Sequence, residues 1–290
     1  MNRIAGLIAL AGAISVGTLV TAGLTYSPQL DGPILVAIPS GSHEYRASGE
    51  YLKDSFPVNA PMITVDHAKQ IDIMKYQVST SDYALCIADG ACKKPYKNRL
   101  KNEIAPITGV SYDNAVEYAH WYSEKTGVRW RLPSDKEWSY VAGSRFVDDA
   151  ITREQESDDP SVKWLEKYRT YAELNSVEGT VVRDRGFFGE NENGLVDLSG
   201  NVWEWTSTCY KRSRISDDNG ALDTQTENCG VRIAEGQHRA YITTFVQDAK
   251  GGGCAVGAPP NYLGFRLVKD TQPMFSRHRL HAWLTRLVVS

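Results

Sequence analysis

Two groups of side chains in this sequence could carry chemistry. The first is the stretch Asp197-Leu198-Ser199-Gly200-Asn201-Val202-Trp203-Glu204-Trp205. Its carboxylates, Asp197 and Glu204, flank a glycine turn. Such a turn can aim carboxylates and backbone carbonyls at a hard cation such as Ca2+. The same residues also describe an aromatic core turn held by hydrogen bonds alone. The second group is the five cysteines. Cys86 and Cys92 lie in YALCIADGACKKP, a C-x5-C spacing around Gly90, and a loop this short closes readily as a disulfide outside the cytoplasm. Cys209, Cys229 and Cys254 allow three pairs and leave one thiol over, either buried and inert or reactive and metal-binding.

Other candidates are weaker. His238 and Arg239 with Glu235 read as a polar site or as a satisfied structural network. Lys250-Gly251-Gly252-Gly253 lacks the G-K-[ST] and βαβ context of a phosphate loop. No Ser nucleophile elbow is present. No HxxxH spacing occurs among the six histidines.

These residues need elements to position them. Ile34 to Pro39 (ILVAIP) reads as a short buried strand, followed by a turn at Gly41. Ile71 to Val78 alternates as a strand, and Ser81 to Ala88 reads as a short helix. A longer helix follows: Ser111 is the N-cap, Ala115, Tyr118, Ala119 and Tyr122 form one face, and Gly127 sits at the C′ position. Ser134 and Glu137 make a capping box before the apolar stripe Trp138, Val141 and Ala142. Residues 145–190 are polar, with a candidate helix at Val162–Tyr168. From Gly186 the sequence GFFGENENGLVDLSGNVWEW has dense turns and poor periodicity, which predicts irregular structure held by hydrogen bonds or an ion. Residues 209–238 read as a long excursion. Ala240–Val246 and Leu263–Val268 read as strands.

The N-terminus carries a membrane signal. Ile4 to Tyr26 is a run of 23 residues without a charged side chain. It is long enough to span a bilayer as a helix. A cleaved signal peptide, with Val20-Thr21-Ala22 at the cleavage site, is the other reading. Arg3 before the run and Asp31 after it favour an outside C-terminus. Both readings export the rest of the chain. The predicted organisation is a signal-anchor or signal peptide at 1–30, one domain at 31–270 and an amphipathic tail at 271–290. The tail places Leu280, Trp283, Leu284, Leu287 and Val288 on one helical face, which suits a membrane, a partner or its own domain.

Composition bounds the function. The 290 residues are 42% hydrophobic and 23% charged with a net charge of -3, which excludes a disordered, collagenous or multi-span chain. The lack of a basic excess argues against nucleic acid as a partner.

Several motifs resemble one superfamily. NENGLVDLSGNVWEWT, TGVSYDNAVEYAHWYSEKTGVRWRLPSDKEW, LGFRLV and the opening ILVAIPSGS are similar to the formylglycine-generating enzyme (sulfatase-modifying factor) superfamily, over about residues 34–269. The resemblance implies a single α+β domain, related to C-type-lectin-like folds, with little regular secondary structure. It implies Ca2+ held by the Asp197 and Glu204 side chains and the Gly200 and Val202 carbonyls. Enzymes of this family oxidise a substrate cysteine with two cysteines that bind Cu(I). The corresponding strand here, Arg239 to Gln247, has no cysteine. Cys254 is the remaining catalytic candidate, and copper would need it to meet Cys209 or Cys229. The family's iron-dependent branch uses a His-rich helical domain that this chain lacks.

Finer stretches, MKYQVSTSDYALCIADGAC, NCGVRIAEGQHRAY and GGGCAVGAPPNYLGFRLVKD, resemble the NirV-type branch found with copper nitrite reductases. The expectation is therefore an exported or membrane-anchored accessory protein, periplasmic and tethered by residues 4–26. Its partner would be copper nitrite reductase or another exported protein. A metal-dependent oxidase acting on a protein cysteine and a lectin-like binding module are the alternatives.

Overall fold

The computed structural model describes residues 32–96, 102–150, 165, 181–216, 222–247 and 262–270. The chain separates at Asp31/Gly32 into two units, and every described residue belongs to the second. The charge-free run at 4–26, the candidate helix at 162–168 apart from residue 165, Cys254 and the tail 271–290 lie outside the described residues. Among the described residues no helix is long and apolar enough to cross a membrane.

In chain order the elements are β1 (Leu35–Ile38), β2 (Gly41–Arg46), β3 (Glu50–Lys53), β4 (Phe56–Val58), β5 (Met62–His67), β6 (Ile71–Met74), α1 (Thr80–Ala88), α2 (Tyr112–Thr126), β7 (Trp130–Arg131), α3 (Asp135–Ala142), β8 (Trp203–Ile215), β9 (Leu222–Glu235), β10 (Ala240–Thr243), β11 (Leu263–Gly264) and β12 (Val268–Lys269). They form an α+β domain. One sheet runs β1-β6-β12-β7, so the last described strand pairs with the early β6. A second runs β10-β9-β8-β3-β4, with β11 parallel to β8. β2 and β5 form a separate antiparallel pair.

The helices begin where local chemistry says they should. The Asn114 N–H donates to Ser111 Oγ and the Ser111 N–H donates back to Asn114 Oδ1, a reciprocal cap. Gly127 ends α2 at φ 68°, a conformation that costs glycine nothing. The predicted face of α2 is buried, and the Tyr118 ring packs 5.4 Å from Phe265. In α3 the Ser134–Glu137 box is closed, and Glu137 also pairs with Arg131 at 2.6 Å. Trp138, Val141 and Ala142 enter a core with Ile38, Ile71, Ile73, Leu195, Leu198 and Val268.

Several expectations need correction. Residues 209–238 are no excursion: β8 and β9 make a long antiparallel hairpin. The outer half of β9 is exposed and polar, so it carries no apolar alternation to betray a strand. Gly41 opens a strand instead of a turn. Leu263–Val268 is two short strands, broken at Phe265–Leu267, where Arg266 turns into the core.

Candidate functional site

The turn before β8 is irregular and held by many hydrogen bonds. Asp197, Ser199 and Asn201 have φ of 59°, 55° and 64°, the left-handed region that Asn and Asp tolerate best among residues with a side chain. Asp197 is buried. Its Oδ2 accepts from the Gly186 N–H at 2.7 Å and its Oδ1 from the Phe188 N–H at 2.8 Å. Asn201 is bonded twice to the Arg183 backbone. Arg145 donates to the carbonyls of Phe188 and Glu190, and Asn191 to those of Val141 and Ala142. Gly200 has a steric reason: a Cβ there would meet the Phe188 ring at 2.6 Å.

Glu204 leaves this turn and points into the core. Its Oε1 accepts from Gln77 Nε2 at 2.8 Å and Arg266 Nη2 at 2.7 Å. Its Oε2 accepts from Trp138 Nε1 at 2.9 Å and Arg266 Nε at 2.7 Å. The guanidinium thus forks both oxygens. Arg266 also donates to the carbonyls of Met74, Lys75 and Val196. The pair joins β6, α3, β8 and the chain between β11 and β12.

The four residues expected to hold Ca2+ share this one turn and the start of β8. Their geometry does not fit that ion. Ca2+ takes six to eight oxygen ligands. Each Glu204 oxygen already accepts two donors and faces a cation, which fills its lone pairs. Both Asp197 oxygens hold backbone N–H groups, and the Gly200 carbonyl accepts from the Val202 N–H.

The four described cysteines are paired. Cys86 and Cys92 are bonded, with Cα atoms 5.3 Å apart, where α1 ends. Cys209 on β8 is bonded to Cys229 on β9, with Cα atoms 4.5 Å apart. This selects one of the three pairings the second group allowed. Next to β9 runs β10, with Ile242 opposite Arg232 and Thr243 opposite Val231. Thr244 continues this line, and its N–H reaches the Gly230 carbonyl. On the strand where the family resemblance expects two cysteines, β10 and its extension carry Thr243, Thr244 and the exposed Phe245.

The third candidate, Glu235 with His238 and Arg239, is an interior network. Arg239 is wholly buried; its Nε meets Glu235 Oε1 at 2.9 Å, its Nη1 meets Asp149 Oδ1 at 3.0 Å, and its Nη2 lies 3.6 Å from Asp135 Oδ1. The Tyr45 hydroxyl donates to Asp135 and the Tyr241 hydroxyl to Asp149. Burial pushes Asp135 up, but Arg239 and the hydrogen bonds from Glu235 and Tyr45 outweigh it and hold Asp135 below the usual carboxylate range. Burial, reinforced by the Asp135 charge against the pull of Arg239, lifts Glu235 well above that range. Asp135, Glu235 and Arg239 are fully buried, and their charges are spent on one another. Asp135, Asp149, Tyr45 and Tyr241 in this network, and Arg266 beside Glu204, are partners not named from the sequence. The signal for Arg266 was a lone cation inside the apolar LGFRLV, which demands a buried counter-charge.

Residues 22–271 match the family model described as "Sulfatase-modifying factor enzyme 1-like domain". Similar curated proteins include the formylglycine-generating enzyme of Mycobacterium tuberculosis (strain ATCC 25618 / H37Rv), 34% identical over 116 residues, 38% of this chain and 36% of that protein. Another is the inactive C-alpha-formylglycine-generating enzyme 2 of Bos taurus, 26% identical over 182 residues, 54% of this chain and 53% of that protein. The matches thus span about half or less of these relatives' length. Among solved structures, PvdO from Pseudomonas aeruginosa aligns with a TM-score of 0.53 at 21% identity, over 82% of this chain and 94% of that one, a likeness of fold.

Proposed function

The chain belongs to the sulfatase-modifying factor enzyme 1-like domain family, and we propose that it acts there as an exported accessory protein that does not itself make formylglycine. One observation carries this reading. The line of β10, where two thiols would have to converge, offers Thr243 and Thr244, and Cys209 and Cys229 are closed on each other. Hydroxyls are poor ligands for Cu(I), which prefers thiolate pairs. A single further cysteine, Cys254, cannot supply a pair by itself. The family accommodates such members, since the bovine relative is described as inactive.

Two disulfides support an oxidising compartment outside the cytoplasm. Residues 4–26 would tether the domain to the inner membrane. The resemblance to the NirV-type branch supports copper nitrite reductase as the protein assisted, in its function or its maturation.

The first test is incubation of the purified protein with a cysteine-containing sulfatase peptide, with and without copper, followed by mass spectrometry. No aldehyde is expected. Conversion of the cysteine to formylglycine would overturn the accessory reading and establish the oxidase. The second test is deletion of the gene in denitrifying cells. Copper nitrite reductase should then lose copper content or activity, and unchanged values of both would remove that enzyme as the partner.

A further inference from the structure

The β8–β9 hairpin gathers a third polar side chain that the proposed function does not use. Glu227 lies two residues before Cys229, with its Oε1 3.4 Å from the Cys229 sulfur. The ligand atoms of Cys209, Glu227 and Cys229 all lie within 4.8 Å of one another. Glu227 and Cys229 are exposed and Cys209 is half-buried. The ladder is irregular at this point: Cys209 pairs with Arg232, and the next residue, Tyr210, pairs with Asn228. Residues 229–231 therefore bulge, and a bulge re-aims side chains that a regular ladder would hold apart.

We propose that the Cys209–Cys229 disulfide is a reducible cover over a Zn2+ site made of the Cys209 and Cys229 thiolates and the Glu227 carboxylate. The site lies on β8 and β9, beside the β10 line, whose Thr244 N–H reaches the Gly230 carbonyl, and on β8 beyond the Glu204 turn. In the first step an external dithiol is oxidised to its disulfide. The Cys209–Cys229 bond takes up the two electrons and two protons and becomes two thiols. In the second step Zn2+ displaces both thiol protons into solvent, and no electron moves.

The geometry permits this. With bonds of about 2.3 Å to sulfur and about 2.1 Å to oxygen, tetrahedral zinc needs ligand atoms roughly 3.5–3.8 Å apart. Once the sulfurs are unbonded, rotation about either Cα–Cβ bond separates them to that span without moving strands whose Cα atoms are 4.5 Å apart. Thiolates with one carboxylate suit zinc better than a hard ion such as Mg2+. Three ligands leave a fourth position for water. Lys211, 3.3 Å from Glu227 Oε2, is the cation that zinc must displace or share with.

The test uses the full chain carrying Cys254→Ser, compared as purified and after dithiol reduction and removal of the reductant without air. Co2+ is the spectroscopic probe and Zn2+ the competitor. We expect no thiolate-to-cobalt charge-transfer band in the oxidised protein, and one equivalent of Co2+ with that band after reduction, displaced by Zn2+. Cys229→Ser should abolish the band. Glu227→Gln keeps both disulfides, so it folds as the parent does, and it should weaken zinc binding at least about tenfold. Absence of the band after reduction, its survival in Cys229→Ser, or unchanged affinity in Glu227→Gln would each overturn the proposal. So would a reduced protein that loses its near-ultraviolet circular dichroism and does not regain it with zinc.

Discussion

Glu235 and Asp135 face the same buried guanidinium: Arg239 Nε lies 2.9 Å from Glu235 Oε1 and Arg239 Nη2 lies 3.6 Å from Asp135 Oδ1. Both residues are fully buried. Glu235 Oε2 and Asp135 Oδ1 accept no hydrogen bond, and the raised Glu235 keeps its proton while Asp135 stays ionised. Asp135 then carries the charge that faces Arg239. Two like carboxylates this close cannot both ionise cheaply.

This arrangement makes stability depend on pH from both sides. Glu235 is raised in the folded state, so its contribution is complete below its unfolded value and is lost as pH climbs through the elevated one. Asp135 is lowered, so its contribution is present above its unfolded value and is lost as pH falls through the depressed one. Glu235→Gln cannot ionise and should flatten the alkaline limb of a stability–pH curve. Asp135→Asn removes the ionised partner of a buried Arg239 and should cost about 3 kcal/mol or more. Urea titrations across pH check both. An alkaline limb as steep in Glu235→Gln as in the wild type would show that Glu235 holds no proton there.

The cysteine pattern gives a mass-spectrometric prediction. Non-reducing peptide maps should link Cys86 to Cys92 and Cys209 to Cys229, and alkylation of unfolded, unreduced protein should label one thiol, Cys254. The Cys209–Cys229 bond closes a sequence separation of 20 residues, so replacing both with serine should cost about 3 kcal/mol. A peptide linking Cys254 to either residue would contradict the pairing.

What the sequence disclosed follows how local each feature is. The caps at Ser111 and Ser134 need three neighbouring residues, and both helices begin there. Cys86 and Cys92 sit at the two ends of one short loop. The β8–β9 hairpin is different: nine successive exposed residues from Leu222 have no apolar face to show, and backbone pairing holds them. For Glu204 the carboxylate and its glycine turn were visible, but its partner Arg266 comes 62 residues later. The calcium expectation rests on the near residues of the turn and does not include Arg266, the cation that meets both Glu204 oxygens.

Gly264 tests the closeness of β11 to the chain before α2. A Cβ there would lie 2.7 Å from the Ile107 carbonyl oxygen and 3.1 Å from Val202 Cγ2. Backbone must yield, because the Ile107 N–H is itself tied to the Val78 carbonyl. Gly264→Ala should therefore cost about 2 kcal/mol. Chemical denaturation measures this, and an unchanged midpoint would mean that β11 is not packed so tightly.

The Glu204–Arg266 fork leads to the sharpest outcome for the turn. Both Glu204 oxygens are filled by Arg266, Gln77 and Trp138, so chelator should leave the melting temperature of the wild-type protein unchanged. A bound ion at a hundred times its Kd would instead contribute about 2.7 kcal/mol, and its removal would be plain in a melting curve. Arg266→Met leaves a buried carboxylate without its counter-charge and should cost about 3–5 kcal/mol, and Glu204→Gln should be similar because it strands the guanidinium. In the double variant neither charge remains, so its loss should be smaller than the sum of the two single losses. Calorimetry of the four proteins, with chelator and with added Ca2+, decides the matter. If chelator lowers the wild-type transition and Ca2+ restores it, Glu204 turns from Arg266 to an ion, and the fork is not the arrangement that holds this turn in solution.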